Sequence, residues 1–164
     1  METKSKWTVE ELMKYQWATL FKVHKAYVCF VLVFDVLLLI IAPVAFYNGY
    51  LFLGTESIIF AFILPLMIYI ITIVRVKKNY RSSKFLQNTV TTLQFDHDQF
   101  EAITDRGSSV IRYDDLYRII ETKTNFYLFV SNCMALTVIK ENCSNELISF
   151  LHEKALRKWQ GQRV

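Results

Sequence analysis

The sequence is poor in the residues that break or staple a chain. Four Gly and two Pro among 164 residues exclude a collagen-like or flexible low-complexity chain. Three Cys, at positions 29, 133 and 143, are too few and odd in number for a disulfide-stapled module, and no CxxC pairs them. His24, His97 and His152 are scattered without metal-ligand spacing. No G-x-S-x-G, Walker A, H-E-x-x-H or dinucleotide fingerprint occurs, and Gly107 stands alone. These absences predict no catalytic residues, no metal, no cofactor and no enzymatic activity. Charge is also missing over one long stretch, because Asp35, Glu56 and Arg75 are the only charged residues between Ala26 and Val76.

That stretch, residues 26–76, reads as two membrane spans. Residues 26–46 form a 21-residue run with Asp35 as its only strongly polar member, and as a helix it rises about 31 Å, the thickness of a hydrocarbon core. Residues 57–76 repeat the pattern. Between them Asn48-Gly49 and Gly54 supply turn chemistry, and Tyr47 and Tyr50 suit the headgroup level. A cleaved signal peptide is disfavoured by the 25 residues ahead of the first run and its length. Two core helices of a soluble protein are disfavoured because so short a chain cannot wrap helices apolar on every face.

Charge sets the expected orientation. Residues 1–25 carry a net +2, the basic cluster Arg75, Lys77, Lys78, Arg81 and Lys84 adds +5 with no acid nearby, and the loop between the spans holds only Glu56. The positive-inside rule then places both termini in the cytoplasm, in a multi-pass protein of the cell's inner (plasma) membrane. Residues 89–164 hold nine basic and ten acidic side chains, so the overall +4 belongs to the membrane boundary. A near-neutral tail domain predicts no nucleic-acid partner. The cluster is read chiefly as a topology signal, with attraction to anionic membrane lipids as its second role.

Thr8 followed by Glu11 fits a capping box, so a helix is expected from Val9. Val9, Leu12, Met13, Trp17, Leu20 and Phe21 share one half of its projection, and lysines mark the other. Residues 1–25 are therefore read as a cytoplasmic amphipathic juxtamembrane helix, lying on the inner leaflet or docked on the tail domain. Residues 77–88 are read as a basic linker.

Residues 89–164 change to short alternating segments, as strands of a half-buried antiparallel sheet do. Strands are expected over 90–95, 100–104, 109–113, 117–122, 126–131 and 136–139, with turns at His97-Asp98, Asp105-Arg106-Gly107, Asp114-Asp115, Thr124-Asn125 and Asn132-Cys133. Ser144 as N-cap opens a last helix with Leu147, Ile148, Leu151, Ala155 and Trp159 on one stripe. The fold class is α+β: a transmembrane helical hairpin followed by a small curved antiparallel sheet closed by a C-terminal helix.

The run from Phe95 to Thr104, then Gly107, the run from Ile111 to Lys123 and the run from Asn125 to Val130 resemble the C-terminal domain of the YcxB-like bacterial membrane proteins. The order of parts is similar too, including a basic stretch of the type Tyr80-Arg81-Ser82-Ser83-Lys84. The resemblance implies a two-span anchor with a cytoplasmic domain resembling the pleckstrin-homology fold. It assigns no activity.

Three groups of candidate residues remain. Asp35 stands inside the first span, where an ionisable residue is expensive and normally functional or paired, and the second span offers Tyr69 and Thr72. A polar handle that joins the two spans, makes a homo-oligomer through the hairpin or recruits another membrane protein is expected. The cluster from Arg75 to Lys84 is the lipid and topology group. Asp114 and Asp115, at a loop end, and Phe126, Tyr127 and Phe129, which point to both sheet faces, form the expected partner surface. The leading reading is a non-enzymatic, membrane-anchored interaction or regulatory protein whose tail domain binds a protein partner. The alternatives are a small immunity protein against a bacteriocin or toxin, and an anionic-lipid-binding module.

Overall fold

A computed structural model describes residues 1–132 and 134–161. Cys133 and the side chain of Trp159 lie outside the described residues. The chain divides into two compact units, one made of Met1–Glu11 with the chain from Ser83 onward, the other of Leu12–Ser82.

The second unit is helical. α1 (Val9–Lys22) opens where the Glu11 amide donates to the Thr8 hydroxyl at 3.1 Å, the N-cap bond expected of Thr-x-x-Glu. α2 (Lys25–Tyr47) and α3 (Leu51–Ser82) are both long and apolar enough to cross a membrane, and most of their apolar side chains are exposed, unlike those of a soluble core helix. The connection is tighter than the ten-residue cap read from sequence. Asn48 caps α2 by donating to the Val44 carbonyl at 2.7 Å, and Gly49, at φ 79°, makes the reversal that a side chain would resist. Leu51 then starts α3 directly. Gly54, read as turn chemistry, lies inside α3 and faces the Phe46 ring so closely that a Cβ there would sit 2.7 Å from it. Ala42 and Ala45 of α2 and Gly54, Ser57 and Ala61 of α3 are buried, so small residues let the two backbones approach. The stretch read as a basic linker is helical: α3 continues to Ser82, and α4 (Lys84–Asn88) follows.

The first unit is the sheet domain. Its four-stranded sheet runs β1 (Glu2–Lys6), β2 (Val90–Phe95), β3 (Gln99–Thr104), β4 (Gly107–Arg112), and its three-stranded sheet β5 (Arg118–Glu121), β6 (Asn125–Phe129), β7 (Ala135–Ile139), all antiparallel. The strands past Val90 fall where alternation put them, to within two residues at each end. β1 does not: residues read as part of a helix pair with β2 in the register Glu2 to Gln94 through Lys6 to Val90. The reason is chemical. The inward positions of Glu-Thr-Lys-Ser-Lys are Thr3 and Ser5, both buried, so the strand shows no apolar periodicity. The Thr3 hydroxyl instead donates to the Asn142 carbonyl at 2.9 Å, and the Asn142 amide donates to the Lys4 carbonyl at 3.0 Å, joining β1 to the turn after β7. In chain order the helical unit is thus inserted between the first and second strands of one sheet.

α5 (Asn145–Gly161) closes the domain, capped by the Ser144 hydroxyl, which accepts from the Leu147 amide at 3.3 Å. Leu147 and Leu151 pack on Leu93, Phe100, Phe126 and Val138 in one core. A full-length variant lacking residues 1–7 loses the β1 pairing and uncovers the flank of Leu93. Its domain should melt roughly 10 °C lower in detergent, the equivalent of about 2 kcal/mol at this size, whereas Lys4→Gln should melt within a few degrees of wild type.

Candidate interaction surface

In the helical unit, Asp35 stands ten residues after Lys25 and twelve before Tyr47, at the middle of α2. Its Oδ1 is buried and makes no hydrogen bond among the described residues. Antiparallel packing about Gly49 explains why. The mirror position of Asp35 is Ile63, so Tyr69 and Thr72 lie about 9 and 14 Å further along α3. The Thr72 hydroxyl donates to the Ile68 carbonyl of its own helix at 2.8 Å, and the Tyr69 ring stacks on Trp17 of α1 with centroids 5.9 Å apart. The structure does not bring these three polar groups together. Trp17 also stacks on Phe21 at 5.8 Å, so the aromatic side of α1 meets the second long helix. The basic residues Arg75, Lys77, Lys78 and Arg81 line the last turns of α3, and Lys84 begins α4.

In the sheet domain, the expected aromatic surface is corrected. Phe126, Tyr127 and Phe129 are all essentially inaccessible, because β6 is the central strand of its sheet and is buried on both faces. Phe126 belongs to the core under α5. On the opposite face, Asn125 donates to the Glu11 carboxylate at the start of α1 and, at 3.3 Å, to the Tyr127 hydroxyl. Glu11 and Asn125 are both buried, so this polar contact ties the beginning of α1 to the sheet. Chain order had offered no sign of it, since the two residues lie 114 positions apart.

Asp114 and Asp115 keep the exposure expected of them, on a 3-10 turn between β4 and β5, with the Arg112 guanidinium 3.9 Å from Asp114. What accompanies them is different. Tyr117 is 44% exposed, Val130 37% and Met134 61%. Backbone bonds hold them at one end of the three-stranded sheet: the Tyr117 amide donates to the Phe129 carbonyl at 2.8 Å and the Val130 amide to the Met134 carbonyl at 3.0 Å. The Arg118 guanidinium sits over the Tyr117 ring at 4.8 Å. The result is an exposed apolar cluster beside two carboxylates. Sequence reasoning missed it because Tyr117 and Val130 sit at strand ends, where alternation no longer tells inside from outside. β4 is an edge strand, with Val110 59% exposed.

Residues 95–151 match the model of the family described as YcxB-like protein. The chain carries a YcxB-like domain. The match runs from the end of β2 into α5 and includes the Asp114–Tyr117 turn, Val130 and Met134, while β1 and the helical hairpin lie outside it. Comparison with curated proteins and with solved structures finds no match. Among the described residues of the YcxB-like domain and the rest of the chain, no three His, Cys, Asp or Glu side chains converge to hold a metal.

Glu121 joins β5 to the segments that follow β7. Glu121 on β5 accepts from Lys140 Nζ at 2.6 Å and lies 2.5 Å from His152 Nδ1 on α5. Partial burial alone would raise the Glu121 carboxyl, but the hydrogen bonds and positive charge of Lys140 and His152 outweigh it and hold it below the ordinary 4.5. A lowered folded value gives stability that is complete above the unfolded value and is lost as pH falls through the folded one. The melting-temperature gap between wild type and Glu121→Gln should therefore be largest near neutrality and should close as pH drops below about 4.5.

Crosslinking between cysteines placed across α2 and α3 reads the hairpin. Gly54→Leu, which collides with Phe46, should cut the yield severalfold; Asp35→Leu, which removes no bond within the hairpin, should keep it.

Proposed function

We propose that this chain is a non-enzymatic, membrane-anchored interaction protein whose YcxB-like domain presents a protein-binding surface next to the cytoplasmic face of the membrane. The observation that carries the reading is the exposed Tyr117, Val130 and Met134 cluster with Asp114 and Asp115 at its border. Exposed apolar side chains brought to one sheet end by backbone bonds, with acidic residues next to them in the chain, fit a contact surface with an aromatic and a Met as its anchors. The partner surface that fits it is apolar with basic residues around it.

The anchor supports the placement. α2 and α3 supply two spans, and the basic residues flanking them against a loop holding only Glu56 favour cytoplasmic ends. Pairing of β1 with β2 fits the same topology, because strands on either side of the inserted hairpin reach one sheet when the number of spans is even. The four-plus-three strand order with a closing C-terminal helix supports a pleckstrin-homology-like fold, a scaffold that hosts many binding roles.

Site-specific photocrosslinking in living cells tests this. A photoreactive residue at Tyr117 or Met134 should capture a discrete protein, and Asp114→Lys with Asp115→Lys should abolish that adduct while the protein still accumulates in the membrane. Capture only from Asn48 or Tyr50, in the α2–α3 turn, would overturn the reading in favour of a partner on the other side, as an immunity protein requires.

A further inference from the structure

We propose that the last two turns of α3 form a binding site for an anionic phospholipid, built by Val74, Lys77, Lys78, Arg81 and Ser82. These five residues line one shallow hollow on α3. At 100° per residue, Val74, Lys77, Lys78 and Arg81 fall within roughly one third of the helix circumference, whereas Arg75 lies off to the side. The hollow is therefore a selected part of the basic cluster.

Depth identifies the ligand. Counting from Leu51, about 30 Å of helix is used by Ile70, and Tyr69 with Trp17 supplies the aromatic pair expected at that boundary. Val74 then stands just past the hydrocarbon, with Lys77, Lys78 and Arg81 about 5 to 10 Å beyond it, at the level of lipid phosphates. Along the helix the hollow runs from an apolar end to a cationic end. A phospholipid has the same order, from acyl ester to phosphodiester, whereas free phosphate makes no use of Val74. Lys77 and Lys78 lie in a stretch with no Asp or Glu between Glu56 and Asp96. The Ser82 hydroxyl is committed to the Asn79 carbonyl at 3.1 Å, so Lys77 and Lys78 supply the donors.

Cations in the last turns of a helix also favour the helix dipole and fix topology without binding anything. The experiment separates these roles by position at constant charge. Full-length protein in phosphatidylcholine nanodiscs is exchanged with discs containing phosphatidylglycerol, and lipid retained per chain is read by native mass spectrometry. Wild type should retain phosphatidylglycerol over phosphatidylcholine by severalfold. Lys77→Gln with Lys78→Gln should remove most of that preference, and Lys77→Arg with Lys78→Arg should restore it. Arg75→Gln with Lys84→Gln, which removes the same charge outside the hollow, should leave it intact. Equal losses in the two Gln pairs would reduce the site to diffuse attraction and overturn the proposal. So would an absence of preference in wild type, or displacement of the lipid by millimolar inorganic phosphate. Circular dichroism of each variant checks that α3 is retained.

Discussion

Everything in this chain depends on the pairing of Glu2–Lys6 with Val90–Phe95. A flexible loop of this length would cost roughly 4 kcal/mol of chain entropy to close, beyond a constant term. The intervening residues lower that cost, because α2 and α3 pack side by side and return the chain toward its starting point. Hairpin and sheet are therefore complementary: the first shortens the effective loop, and the second holds both of its ends. The strand that closes the loop is also unusual in its means. Thr3 and Ser5 bury hydroxyls, and the bond from Thr3 to the Asn142 carbonyl links the four-stranded sheet to the turn after β7. Buried polar groups of this kind stabilise only when paired, so they select one register more sharply than apolar side chains would.

The helical unit follows a different rule. Helices apolar enough to cross a membrane leave most of their apolar surface exposed, so close approach decides how the two hold together. Ala42, Ala45, Gly54, Ser57 and Ala61 provide it, with the Phe46 ring filling the space that Gly54 leaves. Asp35 then stands out as a carboxyl at mid-helix whose Oδ1 is buried without a bond, so the hairpin has no evident need of it. α1 belongs to both worlds, with its first turn contributing Glu11 to the sheet domain and Trp17 stacking on Tyr69.

The sheet domain keeps its large aromatic residues of β6 inside. The central strand β6 is covered on both faces, α5 covers the core, and the Glu121 contact with Lys140 and His152 fastens that helix to the sheet. Tyr117, Val130 and Met134 are the apolar residues left outside at one sheet end, beside the Asp114–Asp115 turn. Element ends on a rigid scaffold can vary without unpacking the core.

The sequence alone determined the two helices long and apolar enough to cross a membrane, the charge asymmetry, six of the seven strands among the described residues and the N-caps Thr8 and Ser144. Each rests on a local signal: a long apolar run, a period of two, or a Ser or Thr three residues before the amide it caps. It also led to the YcxB-like domain through the hydrophobic pattern between Phe95 and Val130. Tertiary structure decided the rest. Alternation marks Phe126, Tyr127 and Phe129 as pointing to two faces, but whether a second face is covered depends on elements far away in the chain. A strand of Glu, Thr, Lys and Ser has no hydrophobic period, and its place in the sheet follows from a partner more than 80 residues on. The depth of Asp35 was legible, whereas its lack of a bond follows from the antiparallel register of α2 and α3, which is set by the three-residue turn at Asn48–Tyr50.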